Sequence, residues 1–275
     1  MLKIYYLSSE ITPFSCSTSL SSFSKEFSMT LKKNDKEIDI RLTQPKYGYI
    51  SDRRYILREV IRLKELSIDF LNKNNIINLK SGFIPSTRVQ VYFMEHQKYF
   101  DNVCDLLYKA RNGRLYSENH EKFTFFVKAA IETLKKLYWI PDYIICNNWQ
   151  TSMLPQIFNT FYKSEFQNTK IVYMIHEIND LYNYDNDLYK KVGLEPEKNK
   201  KKQNNILNGI KYSDYIYAFN NSDNKVANYM KKSNIKSVLK NKKYSLINYS
   251  SDMDTSERIQ VYFSANVPFY SGIWF

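Results

Sequence analysis

The sequence predicts an α/β protein built on a Rossmann-like, doubly wound parallel sheet. Short apolar runs recur between helical segments in a strand, helix, strand rhythm. Most of these runs are continuously apolar rather than alternating, the pattern of strands covered on both faces. A hydrophobic fraction of 43%, with 24 Tyr and 17 Phe, supplies a core for such a sheet in a chain of 275 residues.

Taken in order, strands are expected at residues 2–8, 37–43, 89–94, 142–146, 170–176, 214–219 and 244–247. The first helix is expected over 22–33, with Phe23, Phe27 and Leu31 on one face. The best helix covers 121–138. There Phe123, Phe126, Val127, Ala130, Ile131, Leu134 and Leu137 form one stripe at spacings of three and four, leaving Lys128, Lys135 and Lys136 wet. Pro141 stops that helix and Asp142 opens the next strand. After Tyr249 the rhythm breaks. Arg258-Ile259-Gln260-Val261-Tyr262-Phe263 echoes Arg88-Val89-Gln90-Val91-Tyr92-Phe93, which reads as coincidence or common β preference. The chain ends on the apolar Ile273-Trp274-Phe275, odd for an intact domain.

Composition narrows the function classes. The formal charge of +12 accompanies a general excess of Lys, Asn and Tyr, and its densest run, Lys198-Asn199-Lys200-Lys201-Lys202, reads as a solvated loop. No nucleic-acid partner is expected. No apolar stretch approaches the roughly 20 residues of a membrane span, so no membrane partner is expected either. Cys16, Cys104 and Cys146 form neither a CxxC pair nor an even disulfide framework, which suits a reducing cytoplasm. There are only 6 glycines, no two within ten residues, so no glycine-rich phosphate loop exists.

Doubly wound sheets bind ligands in the crevice beyond the carboxyl ends of their strands. This directs attention to residues 8–20, 146–151 and 176–180. Taken alone, Glu10 reads equally as a loop acid or a site acid, and His176 as a structural histidine. Trp149 reads as core rather than a sugar platform. Cys16 has no neighbouring base and is not read as a nucleophile. His96, His120 and His176 lack metal-ligand spacing, and no carboxylate pair has a glycosidase arrangement.

Taken together and in order, these segments resemble bacterial glycogen and starch synthases. Ser8-Ser9-Glu10-Ile11-Thr12-Pro13-Phe14 is similar to the opening SSE-x-x-PF of that family. Pro45-Lys46-Tyr47-Gly48 and Ile50-Ser51-Asp52-Arg53-Arg54-Tyr55 resemble its PKYG and ISxRxY segments. Val89-Gln90-Val91-Tyr92-Phe93, Tyr99-Phe100-Asp101 and Asn119-His120-Glu121-Lys122-Phe123 continue the match. So do Trp139-Ile140-Pro141-Asp142, Trp149-Gln150-Thr151, residues 169–176, Asn208-Gly209-Ile210 and a worn Leu246-Ile247-Asn248-Tyr249.

The resemblance implies a GT-B fold, in which two Rossmann-like domains face each other across a cleft. This chain would be the N-terminal half, residues 1–250, with a divergent tail at 251–275. It implies an α-1,4-glucan acceptor and ADP-glucose as partners, glucosyl transfer with retention, no cofactor and no metal. The family's histidine beside the transferred sugar falls on His176. Its substrate contacts fall on Glu10, Cys16, Thr18, Ser19, Asn148, Gln150 and Glu177.

Several of these positions depart from the family. Where it has Lys-Thr-Gly-Gly-Leu-x-Asp, this chain has Cys16, Ser17, Thr18, Ser19, Leu20, Ser21 and Ser22. A lysine and two glycines suit a phosphate, because the ammonium supplies charge and the bare backbone allows close approach. Losing one such contact costs roughly 2–4 kcal/mol of transition-state stabilisation, about a hundred- to a thousand-fold in rate. The family's Asp becomes Asn148 and its Asn becomes Glu177. The expectation is therefore a synthase-like domain impaired on its own. It would be either one half of an enzyme completed by a partner synthase chain, a non-catalytic glucan-binding or regulatory paralogue, or a truncated gene fragment.

Overall fold

The computed structural model describes residues 1–34, 37–103, 106–250 and 253–264. Cys104 and the terminal Ile273-Trp274-Phe275 lie outside the described residues. The strands are β1 Leu2–Leu7, β2 Ile38–Pro45, β3 Arg58–Glu59, β4 Leu66–Phe70, β5 Lys73–Phe83, β6 Gln90–Glu95, β7 Tyr143–Asn147, β8 Lys170–Ile175, β9 Asn183–Asp185, β10 Lys202–Asn204, β11 Tyr215–Asn220 and β12 Lys243–Asn248. The α-helices are α1 Ser19–Asn34, α2 Asp52–Tyr55, α3 Asn119–Leu137, α4 Leu154–Ile157, α5 Asn186–Lys191, α6 Asn205–Tyr212, α7 Lys225–Met230, α8 Ser233–Leu239 and α9 Thr255–Ser264. Each of the seven strands expected from the sequence is present, as β1, β2, β6, β7, β8, β11 and β12.

These seven form the parallel part of one sheet, in the order β12-β11-β8-β7-β1-β2-β6. The chain leaves central β1 one way through β2 and β6. It returns on the other side through β7, β8, β11 and β12. The switch point therefore lies between β1 and β7, where Leu7 pairs with Cys146. Beyond β6 the sheet turns antiparallel: β5 pairs with β6, and β3 and β4 both pair with β5. This edge is absent from the expected strands, although β4 alternates buried and exposed residues as a half-wetted strand does.

Helices cover both faces of the sheet, as β1 itself demonstrates. Successive strand residues point to opposite faces. Tyr5 reaches Ala130 O on α3 at 3.3 Å, while Tyr6 donates to Ser24 Oγ on α1 at 3.1 Å. Helix α1 buries Leu20, Phe23, Phe27 and Leu31 at spacings of three and four. Helix α3 ends where Tyr138 adopts a left-handed conformation (φ 50°), and Pro141 follows. Gly209 lets α6 approach the sheet closely, since a Cβ there would meet Tyr173 at 2.7 Å.

The repeated hexapeptide has two different structures. In β6 its residues Val91, Tyr92 and Phe93 are all buried, as a strand covered on both faces requires. In α9 the echo, identical but for Ile259 in place of Val89, forms a helix that buries Ile259 and Tyr262, three apart, and stacks Phe263 on Phe27 at 5.6 Å. A local signal decides this. Asp254 Oδ1 accepts from Glu257 N at 2.8 Å and Glu257 Oε2 accepts from Asp254 N at 2.9 Å, a reciprocal capping box.

Candidate functional site

Three strand ends converge at the switch point. Residues Ser8, Ser9 and Glu10 leave β1 fully buried, each with hydrogen-bonding work to do. Ser8 Oγ donates to Glu10 O at 2.7 Å and accepts from Ser24 Oγ at 3.0 Å. Ser9 O accepts from Tyr47 OH, and its hydroxyl meets Tyr108 OH, both at 2.7 Å.

The Glu10 carboxylate turns back onto the start of α1. Oε2 accepts from the backbone N–H groups of Ser17 (2.5 Å) and Thr18 (2.9 Å), and Oε1 from Thr18 Oγ1 (2.6 Å) and Tyr108 OH (2.9 Å). Thr18 also caps the helix, its Oγ1 accepting from Leu20 N at 3.3 Å. Helix N-termini attract anions through unpaired amides and the helix dipole, and α1 has no acid in its own first turn. Glu10 supplies that negative charge from outside the helix. Cys16 and Ser19, the neighbouring expected contacts, are exposed, and Cys16 Sγ lies 3.2 Å from Thr12 Oγ1.

Tyr108 is held in place by the first turn of α3. Asn119 Nδ2 donates to Tyr108 O (2.7 Å), and Lys122 Nζ to Leu107 O (3.1 Å). Burial lowers the Lys122 pKa to about 8. Tyr108 reaches Glu10 from 98 positions along the chain, and no sequence signal marks it.

The second strand end supplies Asn147, Asn148 and Gln150. Asn148 has φ 54° and ψ −166°, a sparsely populated conformation that Asn tolerates better than most residues. Its Oδ1 accepts from the backbone N–H of His176 (2.6 Å) and of Glu177 (3.3 Å), clamping the β7 end to the β8 end. Gln150 is buried, and neither side-chain amide atom has a hydrogen-bond partner among the described residues. Trp149 is core: it packs edge-on against Phe123 at 5.3 Å and Tyr108 at 5.5 Å.

His176 closes the site at the end of β8. Its ring stacks on Phe219 at 4.4 Å and meets Phe23 edge-on at 4.5 Å. Nε2 lies 3.1 Å from Asn147 Oδ1, and Asn147 Nδ2 is spent on Leu7 O at 2.8 Å. That amide orientation assigns the ring proton to Nε2. Burial first, and the Arg258 charge second, lower the His176 pKa to about 3, so the imidazole is neutral at physiological pH. Glu177 beside it has a raised pKa, through burial first and then the charge of Glu10. The fold thus brings Glu10 and Glu177 within electrostatic range, a pairing with no trace in their sequence spacing.

Arg258 is a further residue that the sequence does not mark. It lies on α9 one helical turn before Tyr262, which packs on Phe219, the ring that His176 stacks upon. No cluster of three or more metal-binding side chains occurs among the described residues, and no helix there is long and apolar enough to cross a membrane.

The molecule is thus a doubly wound α/β domain whose switch point gathers buried neutral hydrogen-bonding groups and two carboxylates, Glu10 and Glu177. Residues 3–241 match the family described as "Starch synthase catalytic domain", and the chain belongs to that family. It is 33% identical over 178 residues to a glycogen synthase of Pelodictyon phaeoclathratiforme, covering 64% of this chain and 36% of that protein. A glycogen synthase of Chlorobaculum parvum is 30% identical over 222 residues, covering 78% and 45% respectively. The catalytic domain of starch synthase IV from Arabidopsis thaliana, solved with ADP and acarbose, superposes with a TM-score of 0.73 at 18% identity. That superposition covers 90% of this chain and 51% of the plant domain, and it places the fold with the GT-B starch synthases. The matched region therefore spans between a third and a half of the length of these curated relatives.

Proposed function

We propose that this chain is a glycogen/starch synthase-like domain that holds an α-1,4-glucan and does not, by itself, transfer glucose from ADP-glucose. The observation that carries this reading is the Glu10 carboxylate on the amides of Ser17 and Thr18. An anion arriving at the start of α1 meets an internal carboxylate there rather than free N–H groups. The resemblance puts the family's lysine at Cys16, which supplies no compensating charge. Phosphate at this end of the crevice would face repulsion from Glu10, and a desolvated site weakens such repulsion little. A neutral glucan faces no such penalty.

Calorimetric titration with maltoheptaose and with ADP-glucose tests this directly. Heat with the glucan and none with ADP-glucose at millimolar concentration is expected. Saturable ADP-glucose binding, or incorporation of labelled glucose into glycogen by this chain alone, would refute it.

A second reading, half of an enzyme completed by the second domain of a synthase, is favoured by the neutral His176 and its clamp from Asn148. Glucosyl transfer on adding a separately produced synthase C-terminal domain would replace the first reading with this one. Arg258 would then be the cation whose charge acts on the His176 ring.

A further inference from the structure

Away from the switch point, the antiparallel edge carries a groove of about 470 Å³ lined by α2, β3 and the turn from β5 to β6. This volume falls within the range of small-molecule sites, roughly 300–1,000 Å³. Its polar wall is cationic. Arg54 and Arg58 both line the groove and are exposed. The acids nearby are already committed: Lys46 and Lys80 bridge both Asp52 and Glu95, and Lys64 pairs with Glu59. Neither Arg54 nor Arg58 has an ion-pair partner among the described residues.

The rest of the lining suits an organic body with an aryl or similarly flat apolar surface. Phe83 is 55% exposed, a large apolar side chain left facing solvent beside the arginines. Ser81 stands directly opposite Arg58 in the β3–β5 pair, and Ser86 holds a left-handed conformation (φ 63°) at the groove's end. Tyr55 forms the inner wall. Its position is fixed from behind, by a 2.8 Å hydrogen bond from its hydroxyl to Pro13 O and by edge-on packing on Phe14 at 4.8 Å.

We propose that this groove binds a phosphate monoester with a compact organic body, the phosphate between Arg54 and Arg58 and the body against Phe83 and Tyr55. Guanidinium groups match phosphate oxygens with paired N–H donors. The site is separate from the crevice at the switch point, and the proposal stands whether or not that crevice binds glucan.

The test is calorimetry on the full chain with inorganic phosphate and with phenyl phosphate, using benzyl alcohol as the uncharged control. Phenyl phosphate is expected to bind, inorganic phosphate more weakly, and benzyl alcohol not at all. Replacing both arginines (R54A with R58A) should weaken phenyl phosphate about tenfold or more, equivalent to about 1.4 kcal/mol or more. Arg111→Ala, the same change on an exposed turn outside the groove's lining, should leave it unaltered. Ser81→Asp places a carboxylate opposite Arg58 and should abolish binding without removing either arginine. No binding at about 20 mM, or binding that survives both the double variant and Ser81→Asp, would overturn the site. Equal affinity for the two phosphates would overturn the role given to Phe83 and Tyr55.

Discussion

Protonating His176 should destabilise the fold, and the structure sets the size of the effect. The ring lies between Phe219 and Phe23, with Arg258 near enough to oppose a second positive charge. Its pKa falls from the ordinary 6.5 to about 3. A tenfold change in a proton-binding constant is worth about 1.36 kcal/mol, so full protonation would cost at most about 5 kcal/mol. His176 as a residue is only partly buried, and we discount this cost to roughly half. Because the folded value lies below the unfolded one, His176's contribution is complete above pH 6.5 and is lost as pH falls toward 3. Between pH 8 and pH 5 the wild-type protein should lose about 1–2 kcal/mol more than His176→Gln, which cannot titrate. Urea denaturation followed by tryptophan fluorescence measures both. His96 and His120, whose pKa values burial also lowers, are present in both proteins and cancel. Parallel pH profiles, or a His176 ring resonance titrating near 6.5 by NMR, would refute the reasoning.

Other substitutions probe the remaining parts of the site. Asn148→Ala removes the acceptor for two backbone N–H groups and leaves Ala at φ 54°, a loss of about 2–4 kcal/mol in denaturation experiments. Asn148→Asp keeps the acceptor and should stay within about 1 kcal/mol of wild type. Tyr262→Ala should cost about 3–5 kcal/mol, because its ring fills the space between α9, α1 and β11. Tyr262→Phe should be neutral or slightly stabilising, since the buried hydroxyl has no hydrogen-bond partner among the described residues. Burial and Glu10 raise the Glu177 pKa, so its ionised form disfavours folding above the ordinary carboxylate range. Glu177→Gln should therefore raise the urea midpoint at pH 8 and leave it unchanged at pH 4.

The sheet and its two main helices were legible because their information is local. A strand covered on both faces must be apolar throughout, and α1 and α3 must repeat apolar residues every three or four positions. The matched segments at the ends of β1, β7 and β8 pointed to the crevice for the same reason. The antiparallel edge and the α9 helix are not among the elements expected from the sequence, although β4 alternates and Asp254 and Glu257 spell out the α9 cap.

The parallel α/β core, the order of its strand ends and the family can all be read from the order of residues along the chain. Tertiary structure alone decided what each polar group does there. Glu10 binds the start of α1 rather than facing open crevice, and Asn148 spends its side chain on backbone. Tyr108 and Arg258 reach the site from distant segments, and Glu10 and Glu177 come within electrostatic range of each other. The hexapeptide ending in Gln-Val-Tyr-Phe makes the division plain: a strand between covered faces in β6, a helix against α1 in α9. Intrinsic β preference is worth about 1 kcal/mol or less per residue. A capping box and a buried aromatic face outweigh it, and the chain must fold before that face exists.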